Sequence, residues 1–319
     1  MTDASATAKA PIAVFVQIYY PDIWREMSAL LAERLTLPFH LILTSSCPQA
    51  EVVLPRTPAL LSTRFLPVQN RGRDILPFLR AIAETHKFEL GLKLHTKKSP
   101  QREDGAQWRA EVLDSLLPPA RGADIIVARM RADQRIGFVT PAGFCLSVRP
   151  WVLVNAFGMH VVMSALGADL TDSTLDNVFF APGSMFWFRR SALAELADRK
   201  VSELFEAEEG QVDGTIAHAI ERLFPVEARR QGYLSLAVPA LMSSSADMSL
   251  AELLELARRH ADVPSRYFPG PYVPPLSPAP TRETLSRSVA LLASIYRASL
   301  PVGLRRHLRR LLRRETGGT

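Results

Sequence analysis

Cysteine is nearly missing from this chain of 319 residues: Cys47 and Cys145 are the only two, and they lie far apart. Two such thiols build neither a disulfide framework nor a zinc cluster, so a reducing compartment is the expectation. A basic leader is missing as well. Residues 1–10 are small and polar, and the apolar run at 12–20 is too short for a signal core with flanks of its own. The longest apolar-looking run, 151–166, is shorter than a bilayer needs and contains Asn155, Gly158 and His160, so no membrane span is expected. There is no internal repeat. Excess positive charge is missing from most of the chain. The formal net charge is +6, but Arg305, Arg306, Arg309, Arg310, Arg313 and Arg314 sit together near the C-terminus. With those six and Glu315 set aside, residues 1–304 carry about +1. A near-neutral body argues against a nucleic-acid-coating globule, so no nucleic-acid partner is expected.

What is present reads as an α/β protein. With 47% hydrophobic and 22% charged residues the chain can bury a core, and its length suits one large domain or two small ones. Residues 12–20 are rich in β-branched and aromatic side chains and predict a buried strand. Asp22 is placed to cap a helix over 23–34. Residues 39–44, 64–69 and 90–94 predict three more strands. Between the last two, Asp74 is the expected N-cap of a helix to about residue 85, with Pro77 tolerated in its first turn. Further on come a helix over 107–117, a strand at 137–140, a partly helical 151–176 and a strand with an entry turn within 179–189. Helices are expected over 192–204 and 215–224, the second stopped by Pro225. This alternation predicts a mostly parallel sheet covered by helices, with ligands at the carboxyl ends of its strands. Polar clusters at 44–46, 70–74 and 95–99 fall just beyond predicted strands. After 238 the pattern loosens into a helix and then a stiff linker, with prolines at 264, 269, 271, 274, 275, 278 and 280.

Four clusters could carry chemistry. In Asn70-Arg71-Gly72-Arg73-Asp74, the glycine lets the backbone turn, the arginines offer forks suited to phosphate or carboxylate, and the following helix adds free N–H groups. The same residues also fit a surface turn whose Arg73 and Asp74 pair with neighbours. The second cluster, Lys93-Leu94-His95-Thr96-Lys97-Lys98-Ser99, gathers three lysines and a histidine at a strand end, where a diphosphate leaving group would need positive charge. It also fits a solvated basic loop, with His95 as a core histidine. The third runs from Glu208 and Glu209 through Gln211, Asp213 and Gly214 to His218, Glu221 and Arg222. Helix capping explains part of it, and a carboxylate at Asp213 could take the proton of an acceptor hydroxyl. The fourth is at the C-terminus. Leu304, Leu308, Leu311 and Leu312 share one helical face, and the six arginines fill the others with His307. That pattern fits an anionic membrane surface, at roughly 1 kcal/mol per basic residue, and also a helix docked on a partner protein.

In this order the motifs resemble the rhamnan synthesis F family of bacterial polysaccharide proteins. The matching pieces are 70–75 with Pro77-Phe78-Leu79, 93–99 followed by Trp108-Arg109, Gly183-Ser184-Met185-Phe186-Trp187 with Arg189, and 209–215 with His218, Glu221 and Arg222, within about residues 12–240. The resemblance implies a glycosyltransferase with a GT-A-like fold. The scarcity of cysteine and the basic tail, which lies outside the resemblance, place it as an expectation in the cytoplasm, peripheral at the inner face of the plasma membrane. It would move a sugar, L-rhamnose by family analogy, from a nucleotide diphosphate such as dTDP-L-rhamnose to a lipid-linked glycan, with inversion. Tyr19, Tyr20 and residues 44–46 would then lie near the nucleotide. Asn70, Arg71, Arg73, Asp74, Lys93, His95, Thr96, Lys97, Lys98 and Ser99 would hold the donor diphosphate. Asp213 would be the base, and Gly183, Ser184, Trp187, Glu209, Gln211, His218, Glu221 and Arg222 would line the acceptor side or support it. Other polysaccharide-assembly enzymes are possible partners. The Asp-x-Asp pair by which many GT-A enzymes hold a divalent metal does not follow the strand at 90–94; His95-Thr96-Lys97-Lys98 stands there, so a metal-independent transfer is expected. The alternative is a non-catalytic assembly protein that binds glycan or partner enzymes through the same fold. The expected organisation is an N-terminal segment 1–10, a transferase domain 11–245, a helix and proline-rich linker 246–280, and basic amphipathic helices 281–319.

Overall fold

The protein is described from a computed structural model, which covers residues 10–46, 52–96, 98, 104–208 and 213–268. In chain order the strands are β1 (Ile12–Ile18), β2 (Phe39–Ser45), β3 (Leu60–Pro67), β4 (Leu90–His95), β5 (Ile136–Thr140), β6 (Leu146–Ser147), β7 (Phe179–Phe180), β8 (Phe186–Arg189) and β9 (Leu234–Ala237). The helices are α1 (Pro21–Arg34), α2 (Ile75–Glu84), α3 (Gly105–Leu116), α4 (Gly122–Ala132), α5 (Ala156–Ala165), α6 (Arg190–Leu193), α7 (Arg199–Glu203), α8 (Ile216–Arg230), α9 (Val238–Ser243) and α10 (Leu250–Arg259). Seven strands form one sheet in the order β3-β2-β1-β4-β8-β5-β9, and β6 pairs with β7 apart from it. Only β8 runs antiparallel to its neighbours in the large sheet. The segment entering β8 therefore meets the carboxyl ends of β1, β4 and β5 at one edge.

The two faces follow from the period of two along each strand. Val14 and Val16 of β1, with Leu90, Leu92 and Leu94 of β4, face one apolar layer with Trp24, Met27 and Leu31 of α1 and Val112 of α3. Ala13 and Phe15 face the other layer, built on Leu79 of α2, Met159 of α5 and Leu223 of α8. β4 is buried along its whole length, as expected for a central strand covered on both sides. Lys93, at an odd position of β4, thus points into the second layer.

Several local expectations are corrected. The third strand starts at Leu60, four residues earlier than expected; it is an edge strand, exposed over residues 61–64, where burial leaves no pattern in the sequence. Tyr20 is the N-cap of α1, with Pro21 in its first turn, and Asp22 pairs instead with Lys98 at 2.7 Å. The expected helix over 192–204 is broken into α6, a 3-10 turn and α7, because the Asp198 carboxylate accepts the N–H of Lys200 at 2.7 Å and starts a new helix. Pro225 does not stop α8, which continues to Arg230. Interior proline costs about 3 kcal/mol, and burial of Phe224, Val226 and Ala228 beside it offsets that loss. Among the described residues no helix is long and apolar enough to cross a membrane.

Candidate functional site

At the carboxyl edge of the sheet, the loop before α2, the end of β4, the turn before β8 and the start of α8 come together. Lys93 is 1% exposed, and its ammonium donates to the Asp74 carboxylate, to the Ser184 carbonyl at 2.7 Å and to Ser184 Oγ at 2.6 Å. It also lies 5.2 Å from the Phe78 ring centroid. Asp74 occupies the N-cap position of α2, yet its side chain makes no capping bond, because it turns inward to this lysine. Burial pushes the Asp74 acid up, but the charges of His95 and Lys93 and the bonds from Lys93 and Ser184 outweigh it and hold the carboxyl well below the usual range. Such a carboxylate is ionised throughout the physiological range.

His95 Nε2 lies 2.6 Å from the Gly183 carbonyl and 4.0 Å from Asp74. On its other side Gly183 donates its N–H to Glu221 Oε1 at 2.7 Å. The turn that makes these bonds is left-handed at two successive residues, with φ of 88° at Gly183 and 61° at Ser184. A Cβ on Gly183 would overlap the Trp108 indole, so the close approach requires glycine. The loop before α2 repeats the device. Gly72 and Arg73 have φ of 67° and 55°, and a Cβ on Gly72 would stand 2.5 Å from Leu76 Cβ. Non-glycine residues in this region cost about 1–2 kcal/mol each, and at Arg73 and Ser184 the surrounding bonds hold them there.

Glu221 leads to the acidic cluster. Its Oε2 accepts from Arg222 Nη1 at 2.9 Å, and Arg222 also donates to the carbonyls of Trp151 at 3.0 Å and His218 at 2.8 Å. Arg222 Nη2 stands 4.0 Å from Asp213 Oδ1. The same Oδ1 accepts the Gly214 N–H at 2.9 Å and lies 3.8 Å from His218 Nδ1. Asp213 Oδ2 has no partner among the described residues, and its side chain is 40% exposed. Thr215 is the N-cap of α8, and His218 closes the capping box, its Nδ1 accepting from the Thr215 N–H at 3.4 Å and lying 2.7 Å from Thr215 Oγ1. An Nδ1 that accepts leaves the ring proton on Nε2. Burial, together with the charge of Arg73, lowers the His218 pKa to about 4, so the ring is neutral at pH 7.

The structure thus joins Arg73, Asp74, Lys93, His95, Gly183, Ser184, Asp213, His218, Glu221 and Arg222 along one edge. Others of the expected residues point elsewhere. Lys93 and His95 belong to β4 rather than to a solvated loop. Trp187 is fully buried and donates to the Leu116 carbonyl at 2.9 Å, so it lies in the core, where it can only support the site from behind. Arg71 donates to the Phe205 carbonyl, and Asn70 is exposed. Thr96 turns inward, its Oγ1 accepting the N–H groups of Tyr19 at 2.8 Å and Tyr20 at 2.9 Å. Lys97, Ser99, Glu209, Gln211 and the six C-terminal arginines lie outside the described residues. Glu208, of the third cluster, accepts the Arg73 N–H at 3.1 Å, and Glu206, which the sequence reading missed, accepts the Ile216 N–H at 3.1 Å. Acidity near a helix start was a readable signal for both. Trp151 contributes only a carbonyl, which leaves no mark in the sequence.

The family model described as rhamnan synthesis protein F matches residues 1–233. The chain belongs to that family. The family's description is one of polysaccharide synthesis, and the match spans every motif assembled at the sheet edge. The chain is also similar to two proteins of Xanthomonas campestris pv. campestris, from strains B100 and ATCC 33913, each described as uncharacterized protein WxcX. In both the identity is 37% over 224 residues, which is 69% of this chain and 32% of the relative. The chain therefore spans about a third of the length of these relatives. Among the described residues no group of three or more His, Cys, Asp or Glu side chains is placed to hold a metal ion.

Proposed function

We propose that this chain is an inverting glycosyltransferase of GT-A-like architecture that takes a nucleotide-diphosphate sugar as donor. The sheet order with one antiparallel strand, and the gathering of the motifs at its carboxyl edge, support this reading. The observation that carries it is the division of labour within Asp213. One oxygen is anchored by Gly214 and faced by Arg222 and His218, and the other has no partner among the described residues, where it can meet a ligand. A carboxylate held that way can accept a proton from an acceptor hydroxyl. The hydroxyl oxygen then forms a bond to C1 of the donor sugar, the C1–O bond to the diphosphate breaks, and the nucleoside diphosphate leaves with the electron pair. His218, which faces the same oxygen, is neutral at pH 7.

The buried Lys93 fixes Asp74 and the Ser184 turn rather than reaching a ligand. In this reading positive charge for the departing diphosphate comes from Arg73, which is exposed at the edge, and from the 97–98 lysines, without a divalent metal. The family's description favours L-rhamnose as the sugar and dTDP-L-rhamnose as donor. A lipid-linked glycan is the proposed acceptor, and residues 281–319 would hold the protein at the anionic inner face of the membrane.

The test is calorimetric binding and turnover with dTDP-L-rhamnose and with UDP and GDP sugars, with and without Mg²⁺ and Mn²⁺. Selective binding without metal, and a product of inverted configuration, are the expected results. Folded protein that binds none of these donors would sink the transferase reading in favour of a glycan-binding assembly role. For the tail, removal of residues 281–319 should abolish sedimentation with anionic vesicles, and equal sedimentation would rule out the anchor.

A further inference from the structure

After α10 the described chain, residues 260–268, stays packed on the domain. Asp262, at φ 52°, donates its N–H to the Cys145 carbonyl at 2.8 Å, and its carboxylate accepts from the Ser147 N–H at 2.9 Å and the Ser147 hydroxyl at 2.5 Å. From that anchor the next residues run to two aromatic contacts. Tyr267 is 6% exposed, stacks on Phe144 with ring centroids 5.3 Å apart, and donates its hydroxyl to Glu111 at 3.0 Å. Phe268 meets Phe144 at 6.1 Å and Trp151 at 6.2 Å, and it packs against both apolar layers of the protein.

Each aromatic that this segment touches is one step from the site. Phe144 meets Trp108 edge-on at 5.3 Å, and Trp108 is the ring that presses on Gly183. The Trp151 carbonyl holds Arg222. The contacting segment itself, residues 262–268, lies beyond 233, where the family match ends, whereas the aromatics it touches lie within the match. We propose that residues 262–268 form a strap, with Tyr267 and Phe268 as positioning residues. The strap holds the Gly183–Ser184 turn and the Arg222 guanidinium in register from behind the sheet edge.

The physical reason is the conformation it supports. A turn with two successive left-handed residues is not a resting state of the free chain; Gly183 donates its N–H to Glu221, its carbonyl lies against His95 Nε2, and Trp108 packs on the same glycine. Packed interiors transmit such displacements because they are close-packed and rigid. Tyr267 and Phe268 both pack on Phe144, which packs on Trp108, so their removal leaves space into which Phe144 and Trp108 can move.

The experiment is hydrogen exchange followed by mass spectrometry on full-length protein. It compares Tyr267→Ala/Phe268→Ala, Tyr267→Phe and the unaltered chain. The double variant should speed exchange across residues 179–189 by at least about tenfold, while β4 keeps its protection. Tyr267→Phe keeps the ring stack and should match the unaltered protein. Unchanged exchange at 179–189, or an equal rise in every peptide, would overturn the strap. The consequence for turnover rests on the proposed transferase activity: the double variant should lower kcat about tenfold or more with donor affinity unchanged. Absence of turnover in the unaltered chain would count against the transferase reading alone, since the exchange result stands without it.

Discussion

Asp74 and Asp213 stand on the same sheet edge and both face basic groups, yet the protein uses them in opposite ways. Asp74 is tied to Lys93, whose ammonium is further taken up by both oxygens of Ser184. Among the described residues Asp213 is held through one oxygen, and its side chain is 40% exposed. The first carboxylate belongs to a closed internal network, and the second has capacity left over. Residue type and charge are alike in the two places. What separates them is how many of their hydrogen bonds the fold already satisfies.

The sharpest way to break this comparison is at Asp213. Asp213→Asn should reduce turnover by about 10²–10⁴-fold with donor binding intact, and should shift stability by less than about 0.5 kcal/mol. A large loss of stability with full residual activity would show that Asp213 is structural after all. At the other carboxylate the balance reverses. Lys93→Met leaves a buried carboxylate without its cation and should cost about 3–5 kcal/mol in urea unfolding, while Lys93→Met with Asp74→Leu should recover much of that loss. Failure of the double variant to recover would mean that the lysine's bonds to Ser184, rather than its charge pair, hold the turn.

Acid should separate the two regions further. The folded His218 pKa is depressed, so the unfolded chain binds its proton first. Stability should fall by up to about 3 kcal/mol as pH drops from about 6.5 towards about 4. Asp74 is also depressed, and its contribution, fully present above the unfolded value of about 3.9, should fade only below that pH. His218→Asn should flatten the first window and leave the second, as read by thermal unfolding across pH. The smallest effect is expected at the cap of α8: Thr215→Ala should cost about 1 kcal/mol. Its loss of activity should be smaller than that of Asp213→Asn.

Much of the fold was legible because buried strands carry their signal in composition. β1, β2, β4 and β5 fall within two residues of where β-branched and aromatic runs place them. The edge strand β3 was misplaced because exposure on both sides removes that signal. Pro225 misled because local propensity was outweighed by the burial of its neighbours. In the candidate site the motif residues were identifiable as motifs, but their directions were not. Lys93 and Lys98 look alike in sequence, yet one is enclosed by Asp74 and Ser184 and the other pairs with Asp22 near the surface. Trp187 reads as part of a site motif and sits in the core.

By itself the sequence determined that short strands and helices alternate, that polar clusters follow the strands, and that most of the excess positive charge lies near the C-terminus, because periodicity and composition are local properties. The tertiary structure alone decided which carboxylate is closed and which is open. That choice depends on bonds between residues far apart in the chain, such as Lys93 to Ser184 and Gly183 to Glu221, and no local pattern encodes them.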